Sequence, residues 1–484
     1  MNLLLNLWNE NMNCKKLLLI LTVLFCFLAY GESKIEKKFN LRLCIFGDIQ
    51  PQTLEAVRPD NVDKLLKKGT PLYYVRQVYK LANKLGTDGY LIAGDVANYN
   101  EPGMYDLFRK LYEESIEGMK NPPLWLPVMG NHDFWGTFWI KSSHDPYGKL
   151  PETRAKRTEI FCKHLKIKSA NHHVVVNGYD IIGYSIEGGI FFKPEAVKEV
   201  EAMIQRAVAR DANKPIILFA HNHTGHTVRG SGSNHLFYKM LSKYPQVIYF
   251  SGHTHIPLED EMTIHQKDFT SVGTGALLNT EPGAKKDFLP HAGRNLGKNM
   301  LYVTIDDWEV VIRRYQLRDE SEVLDNGKVW RLPLPLEKNN FTYTPEKRFK
   351  APPVFPENAK LEAACIYNKK GVFEGVRIRG TAATHPNGVY CYEIDVFEQQ
   401  NGEWVSRDPV HKGKSVKKKI LMFGDYYKGR NFRENTFSGD ILSKPGNYIG
   451  FAFEAGKTYR IDLRAKDFFD TYSTQTLSTA LTIK

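Results

Sequence analysis

The sequence predicts two folded domains in tandem, an α/β domain followed by an all-β domain. Three observations carry this. At 484 residues, 42% hydrophobic and 25% charged, the chain has the composition of folded globular protein and exceeds what one ordinary core organises. From Leu41 to about Tyr315, short apolar runs alternate with amphipathic stretches, the signature of strands and helices in repetition. From Ala359 onward helical periodicity disappears, and alternating runs are separated by Gly, Pro and Asn turns.

Residues 1–31 are set apart. Lys15 and Lys16 precede the apolar run LLLILTVLFCFLAY, and Ala29-Tyr30-Gly31 gives a small-x-small cleavage pattern, so a secretory signal peptide and an exported protein are expected. The run is shorter than the ~20 apolar residues that span a bilayer, so no stable membrane span is expected. Phe25, bulky and just before Cys26, argues against a lipoprotein. Four later cysteines, Cys44, Cys162, Cys365 and Cys391, are too few for a disulfide framework. Cys365 and Cys391 share the late segment and are the candidate pair, whereas Cys44 reads as a small buried hydrophobe.

Within residues 41–316 the strands expected are LRLCIF, YLIAGD, LWLPVMG, HHVVV, DIIGYSI, PIILFA and QVIYF, followed by the hairpin-like FTSVGTG, NMLYVTID and WEVVIRRY. Helices fall between them, with Val75, Val78, Ala82 and Leu85 on one face and Val197, Val200, Ile204 and Val208 on another. The stretch RLPLPLEKNNFTYTPEKRFKAPPVFPEN makes residues 317–358 an extended linker. After it, LEAACIY, VFEGVRIRGT, VYCYEIDVFE, NYIGFAF, TYRIDLRAKD and STALTIK make residues 359–484 an immunoglobulin-like or fibronectin-like β-sandwich. Its aromatic alternation reads first as core, with contact to cell-surface glycans as the functional alternative.

The formal net charge of +12 favours anionic partners, yet the charges are scattered and KSVKKK, near Lys414 to Lys419, is the only concentrated run. A solvated surface explains them, and nucleic-acid binding is the lesser expectation.

Chemistry concentrates at the carboxyl ends of apolar strands, where ligands gather in open α/β sheets. Five clusters stand there: FGDIQ, IAGDVAN, MGNHD, FAHNH and SGHTH. They supply Asp48, Gln50, Asp95, Asn131, His132, Asp133, His221, His253 and His255, a mixed carboxylate, amide and imidazole set suited to two ions of manganese, iron or zinc. If the first strand continued, Asp48 and Gln50 would point to one side of it. Taken singly, each cluster has a plainer reading as a turn or a hydrogen-bonded histidine.

Taken together and in this order, GDIQ, GDVAN, GNHD, AHNH and GHTH resemble the motifs of the calcineurin-like metallophosphoesterase superfamily, over a little more than half of the chain. The resemblance implies a four-layer αββα sandwich. It also implies that Asp48, Gln50, Asp95 and His255 hold one metal, and that Asp95, Asn131, His221 and His253 hold a second. His132 would sit by the leaving group with Asp133 orienting it, and a metal-activated hydroxide would attack phosphorus. Where the family commonly has His, this chain has Gln50, an oxygen donor that tilts the preference from zinc towards manganese or iron.

The implied substrate is a phosphorylated small molecule: a phosphomonoester, a phosphodiester or a nucleotide pyrophosphate. A metal-dependent nuclease and a surface-binding module on a phosphoesterase scaffold are the alternatives. Asn98 invites comparison as a phosphate contact, and His223 as a residue behind the site or facing substrate. His226 reads as a loop residue, and His172 and His173 as surface residues. Phe134, Trp135, Phe138 and Trp139 begin the segment from Phe134 to Ser169, a candidate cap whose rings either stack on substrate or pack the loop.

Overall fold

The computed structural model describes residues 39–51, 62–136, 145–147, 149–185, 192–232, 234–281, 288–290, 298–318, 321–322, 329–348, 350–424 and 435–484. The expected signal peptide, Cys26, Phe138 and Trp139 lie outside them. Asn40–Lys484 form one compact unit.

Two β-sheets stack face to face. In the first, β1 (Leu41–Phe46), β2 (Gly89–Ile92) and β3 (Leu124–Pro127) run parallel. In the second, β4 (His172–Val176) pairs antiparallel with β5 (Tyr179–Tyr184), which leads into parallel β6 (Ile216–Ala220) and β7 (Val247–Ser251). The hairpin β8 (Ile264–Gln266) and β9 (Thr270–Gly273) completes it in the order β4-β5-β6-β7-β9-β8. The chain then returns to the first sheet as β10 (Asn299–Ile305), antiparallel to β1, and β11 (Glu309–Gln316), antiparallel to β10.

Helices cover both outer faces. On the first sheet lie α1 (Pro71–Leu85), α2 (Pro102–Ser115) and α3 (Pro151–Leu165); on the second lie α4 (Pro194–Arg210) and α5 (His235–Leu241). The first four start with proline, whose missing N–H costs nothing in a first turn. Thr70 Oγ1 caps α1 by accepting from Tyr73 N at 3.3 Å, and Gly86 at φ 75° ends it. Leu72, Val75, Val78 and Ala82 of α1 face Phe46, Tyr90 and Ile92, while Val197, Val200 and Ile204 of α4 face Ile182 and Leu218. Between the sheets, Leu43, Ile45, Leu91 and Leu301 meet Ile217, Phe219, Ile248 and Phe250. The layers are therefore helix, sheet, sheet, helix. Strands buried on both faces explain why β2, β6 and β7 read as near-continuous apolar runs, as does β1 beyond Arg42.

Residues 317–358 are not a bare linker. β12 (Ser321–Glu322) and β13 (Trp330–Pro333) both pair with β11, and Trp330, Leu332, Leu336 and Phe341 enter the core between the sheets. An edge strand tolerates proline, because one row of its backbone groups needs no partner. The prolines were therefore compatible with a strand.

The remainder is a β-sandwich. One sheet holds β14 (Leu361–Tyr367), β15 (Phe373–Thr381) and β21 (Thr436–Leu442). The other holds β16 (Cys391–Gln400), β17 (Glu403–Ser406), β20 (Ile420–Phe423), β23 (Thr458–Lys466) and β24 (Leu477–Thr482). Short strands β18 (Val410–His411), β19 (Lys414–Ser415) and β22 (Ile449–Gly450) form a third, small sheet. Val376, Ile378, Ile394, Ile461 and Leu463 lie in its core. Among the described residues the four cysteines are free, the expected Cys365–Cys391 pair included: Cys365 sits on β14, whereas Cys391 is buried in an apolar seam with Phe288, Tyr390, Phe423 and Phe468.

Candidate metal centre

Five loops at the carboxyl ends of β1, β2, β3, β6 and β7 meet at one edge of the stacked sheets. β1 stops at Phe46, so strand alternation does not aim Asp48 and Gln50; left-handed backbone does. Asp48 (φ 49°), Gln50 (φ 38°), Asp95 (φ 52°), His253 (φ 73°) and His255 (φ 55°) all adopt it. For non-glycine residues such conformations cost about 1–3 kcal/mol each and persist where surrounding structure over-determines them. The motif glycines serve close approach. A Cβ at Gly252 would lie 2.5 Å from Asp48 Oδ2, and one at Gly130 would overlap the Asp95 carboxylate.

Each carboxylate is anchored through backbone N–H groups and presents an oxygen inward. His132 N donates to Asp95 Oδ1 at 2.9 Å, leaving Oδ2 facing His221 Nε2 at 3.2 Å. His253 N donates to Asp48 Oδ2 at 2.9 Å, and Asp48 Oδ1 faces His255 Nε2 at 3.1 Å. The imidazoles are oriented by carbonyls: Ala93 O lies 2.9 Å from His221 Nδ1 and Asn279 O 2.9 Å from His255 Nδ1. A carbonyl only accepts, so each Nδ1 carries the proton and each Nε2 turns a lone pair inward. His253 is reversed: its Nδ1 lies 2.9 Å from Asn131 Oδ1 and 3.2 Å from His221 Nε2. Asn131 Oδ1 is 3.0 Å from that same Nε2.

Asp48 Oδ1, Asp95 Oδ2, Asn131 Oδ1, His221 Nε2, His253 Nδ1 and His255 Nε2 thus crowd together as electron-pair donors facing one another. Cations resolve such an arrangement, and the donor set of carboxylate, amide and imidazole fits divalent metals. Asp48, Asp95 and His221 bring their ligand atoms within 4.8 Å of one another. Gln50 turns its Nε2 to Asp95 Oδ2 in a short hydrogen bond, and a half-turn of the carboxamide places Oε1 there instead. Without metal, protons take the cations' place. Burial opposes charge on both groups, yet Asp95 raises the His221 pKa to about 9, and His221 with His132 holds Asp95 well below the carboxylate range. Burial and then His221 push His253 down to about 4.

All seven expected ligands are brought to this place; the two residues expected beside them diverge. His132 is half-buried, with Nδ1 3.2 Å from Asn98 O, so its Nε2 is the free nitrogen. Asp133 does not orient it. Fully buried, Asp133 accepts from the N–H groups of Val96 at 3.2 Å, Ala97 at 3.1 Å and Gly130 at 2.9 Å, and from Tyr105 Oη at 3.1 Å. It staples the second motif loop to the third. Burial and the nearby Asp95 push its pKa up to about 7, against those hydrogen bonds.

His223 is buried behind the site. Its Nε2 is 2.9 Å from Thr254 Oγ1 and its Nδ1 is bonded to Ser251 Oγ, so both nitrogens are engaged away from the ligands. His226 is exposed on its loop. His172 and His173, expected at the surface, are half-buried, the first against Pro127 O at 2.8 Å and the second against Asp180 at 2.7 Å. The aromatic run divides: Phe134 is core, whereas half-buried Trp135 packs its ring on His132 with centroids 3.7 Å apart. Asn98, Ala93 and Asn279 act through main-chain oxygens, for which no side chain signals in advance.

A family model described as calcineurin-like phosphoesterase matches residues 41–257, the span that holds all seven expected ligands. Residues 41–257 form a calcineurin-like phosphoesterase domain. The protein is accordingly a hydrolase of phosphoric esters, and the expected four-layer αββα fold followed by a β-sandwich is the one found. No curated protein matches the sequence. Among solved structures, a dimetal phosphatase from Danio rerio is similar at 9% identity and TM-score 0.40, over 62% of this chain and 100% of that one. The inner membrane complex anchor of Plasmodium is similar at 13% identity and TM-score 0.35, over 62% and 89%. A purple acid phosphatase from yellow lupin seeds is similar at 13% identity and TM-score 0.36, over 58% and 52%. Among the described residues, no helix of the phosphoesterase or its β-sandwich is long and apolar enough to cross a membrane.

Proposed function

We propose that this protein is an exported phosphoesterase that holds two metal ions and hydrolyses phosphomonoesters, phosphodiesters or nucleotide pyrophosphates. The observation that carries the reading is the chain of donor atoms that meet here: Asp95 Oδ2 faces His221 Nε2 and the Gln50 carboxamide, His221 Nε2 faces Asn131 Oδ1 and His253 Nδ1, and Asp48 Oδ1 faces His255 Nε2. Asp48, Gln50, Asp95 and His255 would hold one ion; Asp95, Asn131, His221 and His253 would hold the other. Bound there, divalent ions supply Lewis-acid polarisation of phosphoryl oxygen and a water-derived nucleophile at neutral pH. The neutral oxygen of Gln50 in place of an imidazole favours manganese or iron over zinc.

His132 is the chain's own acid. With Nδ1 committed to Asn98 O, Nε2 is the atom that holds a proton for the departing oxygen. Burial depresses this imidazole's pKa and Asp95 opposes the shift. An arriving phosphate dianion acts in the same sense as Asp95 and favours the imidazolium. Trp135 covers one face of the ring and excludes water there. Export is supported by Lys15, Lys16 and the apolar run that follows them.

Metal analysis of purified protein, joined to a phosphate-release screen over the three substrate classes, tests the reading. Hydrolysis lost on chelation and restored by manganese is expected. A chain that retains no metal, and cleaves none of the three with manganese, iron or zinc supplied, refutes it.

A further inference from the structure

The proposed metal centre rests on loops, and two of those loops, with the connection that follows β9, are tied to the β-sandwich. The loop after β6 begins at His221 and carries Arg229. Arg229 Nε pairs with Asp260 Oδ2, its Nη2 donates to Phe468 O at 2.9 Å, and its guanidinium lies 3.9 Å from the centroid of the Tyr390 ring. Phe468 and Tyr390 belong to the β-sandwich side of the seam. Asp260 belongs to the loop after β7, which carries His253 and His255. Fully buried, Asp260 also accepts from Met262 N at 2.8 Å, while Arg229 N donates to Met262 O at 3.0 Å.

One guanidinium thus joins the loop of His221, the loop of His253 and His255, and the second domain. A third tie follows β9: Leu289 N donates to Leu421 O at 2.7 Å, and Phe288 stacks on Phe423 at 3.6 Å. Asn279, whose carbonyl orients His255, lies in the same connection between β9 and β10. His253 and His255 hold left-handed backbone that their surroundings must enforce.

We propose that Arg229, gripped by Tyr390 and Phe468, is a positioning residue through which the β-sandwich sets the metal affinity of the phosphoesterase site. This rests on the metal-binding reading above. Planar stacking and a fixed fork of donors are properties of arginine that lysine lacks, so a lysine keeps the charge opposite Asp260 and loses the alignment.

The test uses full-length protein stripped of metal, with manganese affinity measured by calorimetry for wild type, Arg229→Lys, Tyr390→Leu and Asp95→Asn. Arg229→Lys and Tyr390→Leu are each expected to weaken binding by ~10-fold, the low end of the range for groups bonded directly to ligands, because neither residue touches one. Their kcat/KM is expected to fall at limiting manganese and to return towards wild type at saturation, a recovery that general loss of structure does not allow. Tyr390→Leu leaves the Arg229–Asp260 pair whole, so it decides the matter should Arg229→Lys fail to fold. Wild-type affinity in Tyr390→Leu, with Asp95→Asn unable to bind, overturns the coupling alone. Wild-type affinity in Asp95→Asn overturns the metal site itself.

Discussion

The two halves of the molecule use β-structure in opposite ways. In the phosphoesterase half, β1, β2, β6 and β7 are parallel, covered by helices on one face and by the other sheet on the second. In the β-sandwich, β23 alternates strictly between buried and half-buried residues, as does a strand with one face on a core. The difference extends to backbone strain. Left-handed residues of the sandwich, Asn401, Lys412 and Asp470, sit in turns between paired strands, the first two beside a glycine. Left-handed residues of the phosphoesterase half include Asp48, Gln50, Asp95, His253 and His255, all aimed at one point. Parallel strands need crossovers, and crossovers leave several loops at one edge where chemistry can converge. Hairpins divide their turns between the two ends of the sandwich.

Asp95→Asn is the sharpest way to break this comparison. It should reduce phosphoester hydrolysis at least ~100-fold, beyond the usual effect of an outer partner, while circular dichroism stays native. Native turnover in this variant removes the claim that the loops converge for chemistry. His132→Ala should lower kcat by ~10²-fold to 10⁴-fold with metal content retained, as expected for loss of a general acid. A change confined to KM would instead make His132 a binding residue.

The sandwich should respond in the other currency, stability. Ile461→Ala, in the core of β23 and away from the seam, should cost ~2–5 kcal/mol in denaturant unfolding and leave kcat of the folded protein unchanged. A fall in kcat at full folding would show that the two halves are less separable than this.

The smallest effect concerns His265 on β8, whose imidazole is held down to about 4 by burial and then by Arg348. An unfolded histidine takes its proton near 6.5 and the folded one only near 4. Stability linked to it is therefore intact above about pH 6.5 and lost as pH falls towards 4, by up to about 3 kcal/mol. Between pH 7 and 4.5, wild type should lose about 2 kcal/mol more than His265→Gln in urea titrations. Equal losses would remove this account of His265.

How much was legible beforehand differs from residue to residue. The stripe Val75, Val78, Ala82 marked α1, and unbroken runs such as IILFA marked strands covered on both faces, because periodicity records burial locally. Asp133 misled for a related reason: its type and its place next to His132 fit an orienting carboxylate, but its partners lie 36 and 37 residues away at Ala97 and Val96. Residues 317–358 misled because proline-rich composition does not distinguish an extended linker from an edge strand. Cys365 and Cys391 share a domain yet not a neighbourhood.

The sequence by itself determined the order of the five motifs, the donor types they offer, the helices that cover the sheets and the division into a mixed and an all-β region. Residue type and local spacing carry that information. Only the tertiary structure decided which nitrogen of each histidine faces inward, that Asn98 rather than Asp133 holds His132, and that Arg229 reaches Tyr390 across the seam. Those outcomes depend on main-chain carbonyls, which every residue possesses alike, and on contacts closed over long stretches of chain, for which no local pattern is required.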